Sequence, residues 1–338
     1  MPISRPTAQR IARLLDGAQR ILISSHRDPD GDSIGCQLAF HEYWTKQKGR
    51  PADVLDHGTI PLRYRFLDPT GIIRAARHGP VRSRWDAAVI FECSSLDRVG
   101  NVARLVPSGL PIINIDHHER NDSYGTVNVL DSQRSACAEL VFELLRLWKA
   151  RITPRMAQLL AAAVLTDTGR FRHPSTNEGT LRTTAELLRL GADLTALTDR
   201  IYFSQPESHF RLFHHVLGQA ELRNRGRICL LYLRASDRRR YRVPSGDMEG
   251  LVDFSLSLQG VRVGALLKER GPRKTKVSLR SSDSVDVAAV ARQFGGGGHK
   301  NAAGCLMDLS LGAAADAIVK AIGPLPQNYA HVRAKSTK

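Results

Sequence analysis

Carboxylate and imidazole side chains are concentrated in four short segments, and each of these segments adjoins an apolar stretch. The segments are His26–Gly35 (HRDPDGDSIG), Glu92–Ser95 (ECSS), Asp116–His118 (DHH) and the single residue Asp167. Imidazole and carboxylate ligands without a thiolate are typical of sites for divalent ions such as Mn²⁺, and are not a cysteine-type zinc site. These residues therefore predict a metal site.

The first half of the chain alternates apolar strands with amphipathic helices. Strands are predicted over 20–25, 86–91 and 111–115, and helices over 33–48, 135–149 and 154–166. Such alternation predicts an α/β domain with a parallel sheet and helices on both faces. In an open parallel sheet, ligands bind beyond the carboxyl ends of the strands. Three of the four acidic segments follow a predicted strand, so we expect them to meet at one edge.

Each acidic residue taken alone has a simpler interpretation. A single Asp after a strand is most often a helix cap, which is what Asp30 or Asp32 would be in isolation. The order H-x-x-P-D-x-D, then D-H-H, then a further Asp favours a ligand set instead. Several shared carboxylates predict two ions about 3.5–4 Å apart, an arrangement that lowers the pKa of a bridging water and neutralises a phosphoryl group.

The second half of the chain predicts a smaller α/β domain. We expect domains at 1–190 and 219–326, joined by a helical connector at 191–218 and followed by a basic tail at 327–338. Strands are predicted over 227–233, 261–268 and 274–279, and helices over 248–258 and 285–294. A glycine-rich segment, GGGGHKNAAG, then occupies residues 295–304.

Composition excludes several classes of protein. The chain has 338 residues, 42% of them hydrophobic, which suits two globular domains. It has no apolar stretch long enough for a membrane helix and its N-terminus lacks a secretion signal, so we expect no membrane partner and a cytoplasmic location. The five cysteines are widely spaced without a C-x-x-C, which argues against a disulfide framework.

The net charge of +16 is concentrated in the second half of the chain. Residues 219–338 contain 21 Lys and Arg residues against 10 Asp and Glu residues. This excess suits a polyanionic ligand, but a solubilising surface explains it equally well.

Two of these motifs carry a resemblance to a known family. The pattern His26-x-x-Pro29-Asp30-x-Asp32-x-x-Gly35, together with Asp116-His117-His118, resembles the DHH phosphoesterase superfamily. The segment 295–304 resembles the glycine-rich signature of the DHH-associated C-terminal domain. The similarity extends from about Leu22 to about Ile322. The chain length resembles the bifunctional oligoribonuclease and pAp phosphatase branch, the nanoRNases, since RecJ-type exonucleases carry extra domains.

The resemblance implies roles for the matching residues. One divalent ion, most naturally Mn²⁺ with Mg²⁺ or Co²⁺ as alternatives, would be held by His26, Asp30 and Glu92. A second would be held by Asp32, Glu92, His117 and Asp167. Asp116 would orient an imidazole and His118 would face the substrate phosphate. The substrate would be bound by Arg280, Gly296, Gly297, Gly298 and His299.

One position departs from the family pattern. The second motif usually has Asp where this chain has Glu92, which is one methylene longer but can still bridge two ions. Asp86 lies at the opposite end of the same predicted strand, and Asp97 is expected in the first turn of the next helix. Glu92 is therefore the expected ligand.

The implied activity is hydrolysis of short single-stranded RNA, of dinucleotides such as pGpG or pApA, or of pAp to AMP and phosphate. Two alternatives are a manganese-dependent inorganic pyrophosphatase, which would have a different second domain, and a non-catalytic RNA-binding protein. The sequence does not rank pAp, short RNA and the linear products of cyclic dinucleotides. It also leaves the direction of digestion and the oligomeric state open, a homodimer included.

Overall fold

The computed structural model describes residues 3–76, 84–243, 250–282 and 285–325. The chain divides into two compact units, residues 1–204 and residues 205–338. The division falls inside the segment 191–218 that we expected to connect the domains. The expected basic tail, 327–338, lies outside the described residues.

The first unit contains a six-stranded sheet in which every neighbouring pair of strands is parallel. Its order is β3-β2-β1-β4-β5-β6. The strands are β1 (Ile21–Ser24), β2 (Ala52–Asp56), β3 (Ile73–Ala75), β4 (Ala87–Phe91), β5 (Ile112–Asp116) and β6 (Val127–Leu130). The chain order reverses between β1 and β4, which creates a crevice at the carboxyl ends of these two central strands.

The two faces of this sheet are covered differently. Ile21 and Ile23 of β1 belong to the large core that packs against α-helices, whereas Leu22 belongs to a smaller core on the opposite face. That smaller core includes residues of a 3₁₀-helical segment, Leu96–Leu105. The helices of this unit are α1 (Arg5–Asp16), α2 (Gly31–Glu42), α3 (Cys137–Leu147), α4 (Pro154–Asp167), α5 (Glu178–Arg189) and α6 (Leu194–Tyr202). A further 3₁₀-helical segment covers Leu62–Leu67.

Two glycines bring α2 against α4. A Cβ atom on Gly31 would lie 2.3 Å from the hydroxyl oxygen of Thr166, and one on Gly35 would lie 2.4 Å from the carbonyl oxygen of Leu159. Any larger residue would push the helices apart. This close packing places Asp32, at the start of α2, near the end of α4, where Asp167 lies.

The second unit contains a mixed six-stranded sheet in the order β11-β12-β10-β9-β8-β7. Its strands are β7 (Glu221–Arg223), β8 (Ile228–Leu233), β9 (Val263–Gly271), β10 (Lys274–Ser281), β11 (Gly297–His299) and β12 (Ala302–Met307). Only the pair β8–β9 is parallel among these described strands. The helices are α7 (Glu207–Leu217), α8 (Ala235–Arg240), α9 (Val287–Arg292) and α10 (Leu311–Ile322), with a 3₁₀-helical segment at Leu251–Ser257.

Several element boundaries predicted from the sequence are wrong. The helix expected over 33–48 begins two residues earlier, because Asp30 caps it, and it changes to a π-helical turn at Tyr43–Gln47. The helix expected over 248–258 is the 3₁₀-helical segment Leu251–Ser257 within the described residues, and residues 248 and 249 lie outside them. None of the described helices has both the length and the apolar character needed to cross a membrane.

Candidate metal and phosphate site

The predicted acidic segments converge at the carboxyl edge of the parallel sheet. β1, β4 and β5 are consecutive in the sheet order. His26 follows β1 by two residues, Glu92 follows β4 directly, and the Asp-His-His motif begins with the last residue of β5. The crevice where the strand order reverses therefore lies between the residues of the first two motifs.

A first group of possible metal ligands contains His26, Asp30 and Glu92. Nε2 of His26 lies 3.4 Å from Oε2 of Glu92 and 4.0 Å from Oδ2 of Asp30. Asp30 also caps α2, since its Oδ1 accepts the backbone N–H groups of Asp32 and Ser33. The cap and the ligand interpretations of Asp30 thus apply to its two different oxygens.

A second group contains Asp32, Glu92 and His117, so Glu92 is common to both groups. Nε2 of His117 lies 3.9 Å from Oδ2 of Asp32 and 3.4 Å from Oδ2 of Asp167. Asp167, the last residue of α4, therefore lies next to this group, where the end of α4 approaches the start of α2. The structure brings all six predicted metal-ligand side chains together.

The N-terminus of α3 holds the carboxylate of Asp32. Oδ2 of Asp32 accepts the backbone N–H of Cys137 at 2.6 Å, and Oδ1 accepts that of Ala138 at 3.0 Å. The first N–H groups of a helix have no partner within the helix and favour a negative charge. Burial nevertheless dominates and raises the pKa of this fully buried carboxyl to about 6.

Glu92 has an unusual backbone and a carboxylate with few partners. Its φ of 52° lies in the left-handed region, which is uncommon for a residue other than glycine and is often found at functional sites. Its Oε2 is buried and accepts no hydrogen bond from the described residues. Burial, and then the carboxylates of Asp30, Asp32 and Asp167, raise the pKa of Glu92 well above its usual range.

The two imidazoles of the site respond oppositely to their surroundings. Burial lowers the pKa of His26 to about 4, which keeps the ring in the neutral form that binds metals. Burial also opposes protonation of His117, but Asp167 and Asp32 outweigh it and raise its pKa to about 9. The several carboxylates around His117 thus favour a positive charge at this position, which a proton supplies here.

Two divalent ions fit this donor set. The six side chains comprise four carboxylates and two imidazoles, and the four negative charges would balance two divalent cations. The buried Oε2 of Glu92 lacks a hydrogen-bond donor among the described residues, and a shared cation would satisfy it.

Asp116 organises the loop that contains both adjacent histidines. Its Oδ1 lies 2.6 Å from Nδ1 of His118 and accepts the backbone N–H of His117 at 2.8 Å. Its Oδ2 accepts the side-chain amide of Asn121 at 2.7 Å. Burial alone would raise the pKa of Asp116, but these hydrogen bonds and the nearby imidazoles lower it. The imidazole that Asp116 contacts is that of His118, whereas Nδ1 of His117 faces the carbonyl oxygen of Arg134.

The other carboxylates considered for the second motif lie elsewhere. Asp86 precedes β4, and its Oδ2 accepts the backbone N–H groups of Gln19 and Arg20 at the amino edge of the sheet. Asp97 is exposed in the first turn of the 3₁₀-helical segment that follows β4. Glu92 is therefore the carboxylate of this motif that lies beside the other candidate ligands.

In the second unit, Arg280 and His299 lie on one row of the mixed sheet. Arg280 of β10 pairs with Ala302 of β12, and Ala302 pairs with His299 of β11. Directly opposed residues of antiparallel strands share a face, so Arg280 and His299 flank the small side chain of Ala302. The guanidinium Nε of Arg280 donates to Asp253 at 2.8 Å, and Nη1 donates to its own neighbour's carbonyl at Leu279.

The last two glycines of the run 295–298 belong to strand β11, Gly297–His299. A Cβ atom on Gly296 would lie 2.2 Å from the carbonyl oxygen of Gly304, and one on Gly298 would lie 2.4 Å from that of Ala302. Gly298 also has φ of 136°, which disfavours any side chain. A Cβ on Gly297 would instead meet no atom within 4 Å. Two of these glycines are thus required by strand packing, and Gly297 leaves open space above the sheet.

Comparison with known proteins assigns both units. Residues 20–164 match the model of the DHH family, N-terminal domain, and residues 227–323 match that of the DHHA1 domain. The chain is 32% identical over 308 residues to the bifunctional oligoribonuclease and PAP phosphatase NrnA of Thermus thermophilus, covering 89% of each chain. The chain belongs to the DHH phosphoesterase family.

Two further relatives agree with this membership. The bifunctional oligoribonuclease and PAP phosphatase NrnA of Bacillus subtilis is 23% identical over 84% of this chain and 88% of its own length. The crystal structure of an exopolyphosphatase-related protein from Bacteroides fragilis has a TM-score of 0.85 at 25% identity, and covers 95% of this chain and 96% of that one. The resemblance inferred from the sequence is confirmed, and the chain is a hydrolase.

Several contacts that orient the candidate metal ligands could not be predicted from the sequence. The N–H groups that hold Asp32 and the carbonyl that accepts from His117 are backbone atoms, which every residue possesses. His173, whose Nδ1 lies 2.9 Å from the carbonyl oxygen of Asp167, is an ordinary loop residue in sequence terms. Asn121 is the exception, because a polar residue three positions after Asp-His-His is a reasonable candidate for orienting that motif.

Proposed function

We propose that this protein is a divalent-metal-dependent phosphoesterase that hydrolyses oligoribonucleotides of a few residues and pAp, with Mn²⁺ as its preferred ion. The observation that carries the proposal is the shared position of Glu92 between two ligand groups at the switch point of the sheet. Relatives named as oligoribonucleases and PAP phosphatases, similar over most of their length, support the substrate class.

We assign His26, Asp30 and Glu92 to one ion, and Asp32, Glu92, His117 and Asp167 to the other. When bound, two such ions supply a water of lowered pKa and charge neutralisation at the phosphoryl group. Glu92 contributes a carboxylate that belongs to both groups, so the two groups of ligands lie next to each other.

His118 is assigned to the substrate phosphate. Its Nδ1 faces Asp116 at 2.6 Å, so the ring is held in one orientation with Nε2 directed away from that carboxylate. We assign Nε2 to a phosphoryl oxygen of the substrate. Asn121 holds the second oxygen of Asp116 and thereby keeps this imidazole in place.

Substrate binding in the second unit is assigned to Arg280, Gly296, Gly297, Gly298 and His299. The guanidinium can donate two parallel hydrogen bonds to a phosphate, and its Nη2 donates to none of the described residues. Above Gly297 the backbone is accessible, so a ligand can approach the strand more closely than a side chain would permit.

The test is an assay with added Mn²⁺ across pAp, pGpG, inorganic pyrophosphate and RNA from two to about two dozen nucleotides long. We expect pAp and the shortest RNAs to be hydrolysed fastest. Rapid turnover of pyrophosphate alone would identify a pyrophosphatase instead. RNA binding without turnover of any substrate would identify a binding protein, and equal rates at all RNA lengths would indicate a processive exonuclease.

A further inference from the structure

His117 contacts a backbone carbonyl through the nitrogen that faces away from the other ligands. Nδ1 of His117 lies 3.0 Å from the carbonyl oxygen of Arg134, while Nε2 faces Asp167 and Asp32. A hydrogen bond from Nδ1–H fixes both the ring orientation and the tautomer that presents Nε2 as a ligand. The position of this carbonyl therefore helps to set the orientation and the tautomer of the His117 ring.

The other side of the same peptide group is held by a buried carboxylate. The N–H of Ser135 donates to Oε1 of Glu139 at 2.9 Å, and the hydroxyl of Thr180 donates to the same oxygen at 3.1 Å. Glu139 lies in the first turn of α3 and is 1% exposed. The carbonyl of Arg134 and the N–H of Ser135 belong to one planar unit, so a bond to one end orients the other.

We propose that Glu139 is a positioning residue for the metal site and acts on His117 through the Arg134–Ser135 peptide. A carboxylate that accepts the N–H polarises the peptide and makes its carbonyl a stronger acceptor for the imidazole. In many metal sites a carboxylate accepts the N–H of a ligand histidine directly. Here one peptide group lies between the carboxylate of Glu139 and the imidazole of His117. This inference rests on the proposed function, because it assigns His117 as a ligand.

The surroundings of Glu139 are not those of a simple stabilising ion pair. Its Oε2 is buried, accepts no hydrogen bond from the described residues and lies 3.8 Å from Nη1 of Arg134. Arg134 makes its close contact, 2.5 Å, with Glu143 one turn further along α3. Burying a carboxylate oxygen without a hydrogen-bond donor lowers the stability of the folded protein. We therefore assign the role of Glu139 to its other oxygen, which accepts the N–H of the Arg134–Ser135 peptide.

Glu143 supplies a matched control for Glu139. Both are glutamates of α3 and both face the guanidinium of Arg134, but of the two Glu139 is the one that accepts the Ser135 N–H. Glu139→Gln keeps a neutral acceptor of the same shape, Glu139→Ala removes the acceptor, and Glu143→Gln removes a charge beside Arg134.

The experiment titrates Mn²⁺ into the metal-free full-length protein and its variants by calorimetry. Loss of a group that orients a ligand weakens metal binding about tenfold to a hundredfold, which we expect for Glu139→Ala. We expect a smaller loss for Glu139→Gln and an unchanged affinity for Glu143→Gln. The Nδ1 proton of His117, assigned in NMR spectra by its loss in His117→Ala, should move upfield in both Glu139 variants and stay in place in Glu143→Gln.

Each contrary result has a distinct meaning. Wild-type affinity and an unshifted Nδ1 proton in Glu139→Gln and Glu139→Ala would overturn the positioning role while leaving the ligand assignment intact. Equal losses in Glu139→Gln and Glu143→Gln would trace the effect to the charge near Arg134 and overturn it too. Failure of the wild-type protein to bind Mn²⁺ would overturn the ligand assignment itself. If Glu139→Ala does not fold, the isosteric Glu139→Gln decides alone.

Discussion

The two units place their functional residues in opposite ways. In the parallel-sheet unit the candidate ligands approach from strand ends and helix ends, and side chains such as Asp32 and His117 are almost completely buried. In the mixed-sheet unit Arg280 and His299 are partly exposed side chains on one row of the sheet, separated by Ala302 and close to the exposed Gly297. Burial strengthens electrostatic interactions and fixes the geometry of side chains, whereas partly exposed side chains remain accessible to a ligand.

This contrast predicts that the first unit determines kcat and the second determines KM. The largest effect should come from Asp32→Ala or His117→Ala, each of which removes a proposed metal ligand. We expect kcat on pAp and on a dinucleotide to fall at least about a hundredfold, the scale of losing a main electrostatic element. EDTA should abolish turnover and Mn²⁺ should restore it.

The control for that experiment is Asp97→Ala, which removes an exposed carboxylate of the same unit. Its kcat should stay near the wild-type value. Circular dichroism should show that the Asp32 and His117 variants remain folded. Full activity in either variant, or in chelator-treated protein without metal, would remove the site from the mechanism.

The next largest effect is expected for Arg280→Ala. A hydrogen bond to a charged group contributes about 1.5–3 kcal/mol, so KM should rise about tenfold to a hundredfold with a smaller change in kcat. Arg280→Lys should recover only part of this, because an ammonium cannot form the planar two-bond contact. Arg273→Ala, an exposed arginine in the same unit, is the control. Unchanged kinetics in Arg280→Ala would leave this residue as a solvated strand residue.

Substitutions of the adjacent glycines Gly297 and Gly298 should distinguish an effect on substrate binding from an effect on strand packing. Gly298→Ala should destabilise the second unit by about 1–3 kcal/mol, because its Cβ would collide with the backbone of Ala302. Gly297→Ala should fold normally, since its Cβ would enter open space, yet raise KM severalfold if substrate occupies that space. Thermal melts and initial rates measure the two effects. Normal KM in a stable Gly297→Ala would place the substrate elsewhere.

The sequence predicts the chemistry of this protein better than its complete architecture. The apolar strands β1, β4 and β5 stand out because both of their faces are buried, and the candidate ligands follow their carboxyl ends. Strands β2, β3 and β6 are not among the predicted strands, and the sequence of β2, ADVLD, contains two aspartates. Asp53 is neutralised by Arg20 and Arg74, and Asp56 is buried against Ser25 and Gln37, so tertiary partners make a polar strand stable.

The sequence predicts candidate side chains of the site but not the backbone groups that orient them. Residues such as Asp30 and Asp167 can be proposed as ligands from the sequence because acidic residues after apolar elements are conspicuous. The groups that orient them cannot, since the α3 N–H groups at Asp32 and the carbonyl of Arg134 are defined by folding. The left-handed backbone of Glu92 could not be predicted either, because a glutamate has no local preference for that conformation.

The smallest effect concerns Asp253, the carboxylate that positions Arg280. The two side chains are 34% and 25% exposed, and the pair is joined at 2.8 Å through Nε. Asp253→Asn keeps an acceptor but removes the charge, and partly exposed pairs contribute no more than about 1 kcal/mol. Arg280 also retains its bond to the carbonyl of Leu279, so the guanidinium should become less ordered without leaving the sheet face. We therefore expect KM for pAp to rise severalfold at low salt and kcat to stay constant, with the difference shrinking as salt is added.

The control is Asp316→Asn, which should change neither constant, because its carboxylate is 75% exposed and lies 4.0 Å from Arg223. A fall in kcat without a change in KM would show that Asp253 acts on the chemical step, and would remove the division of labour between the two units.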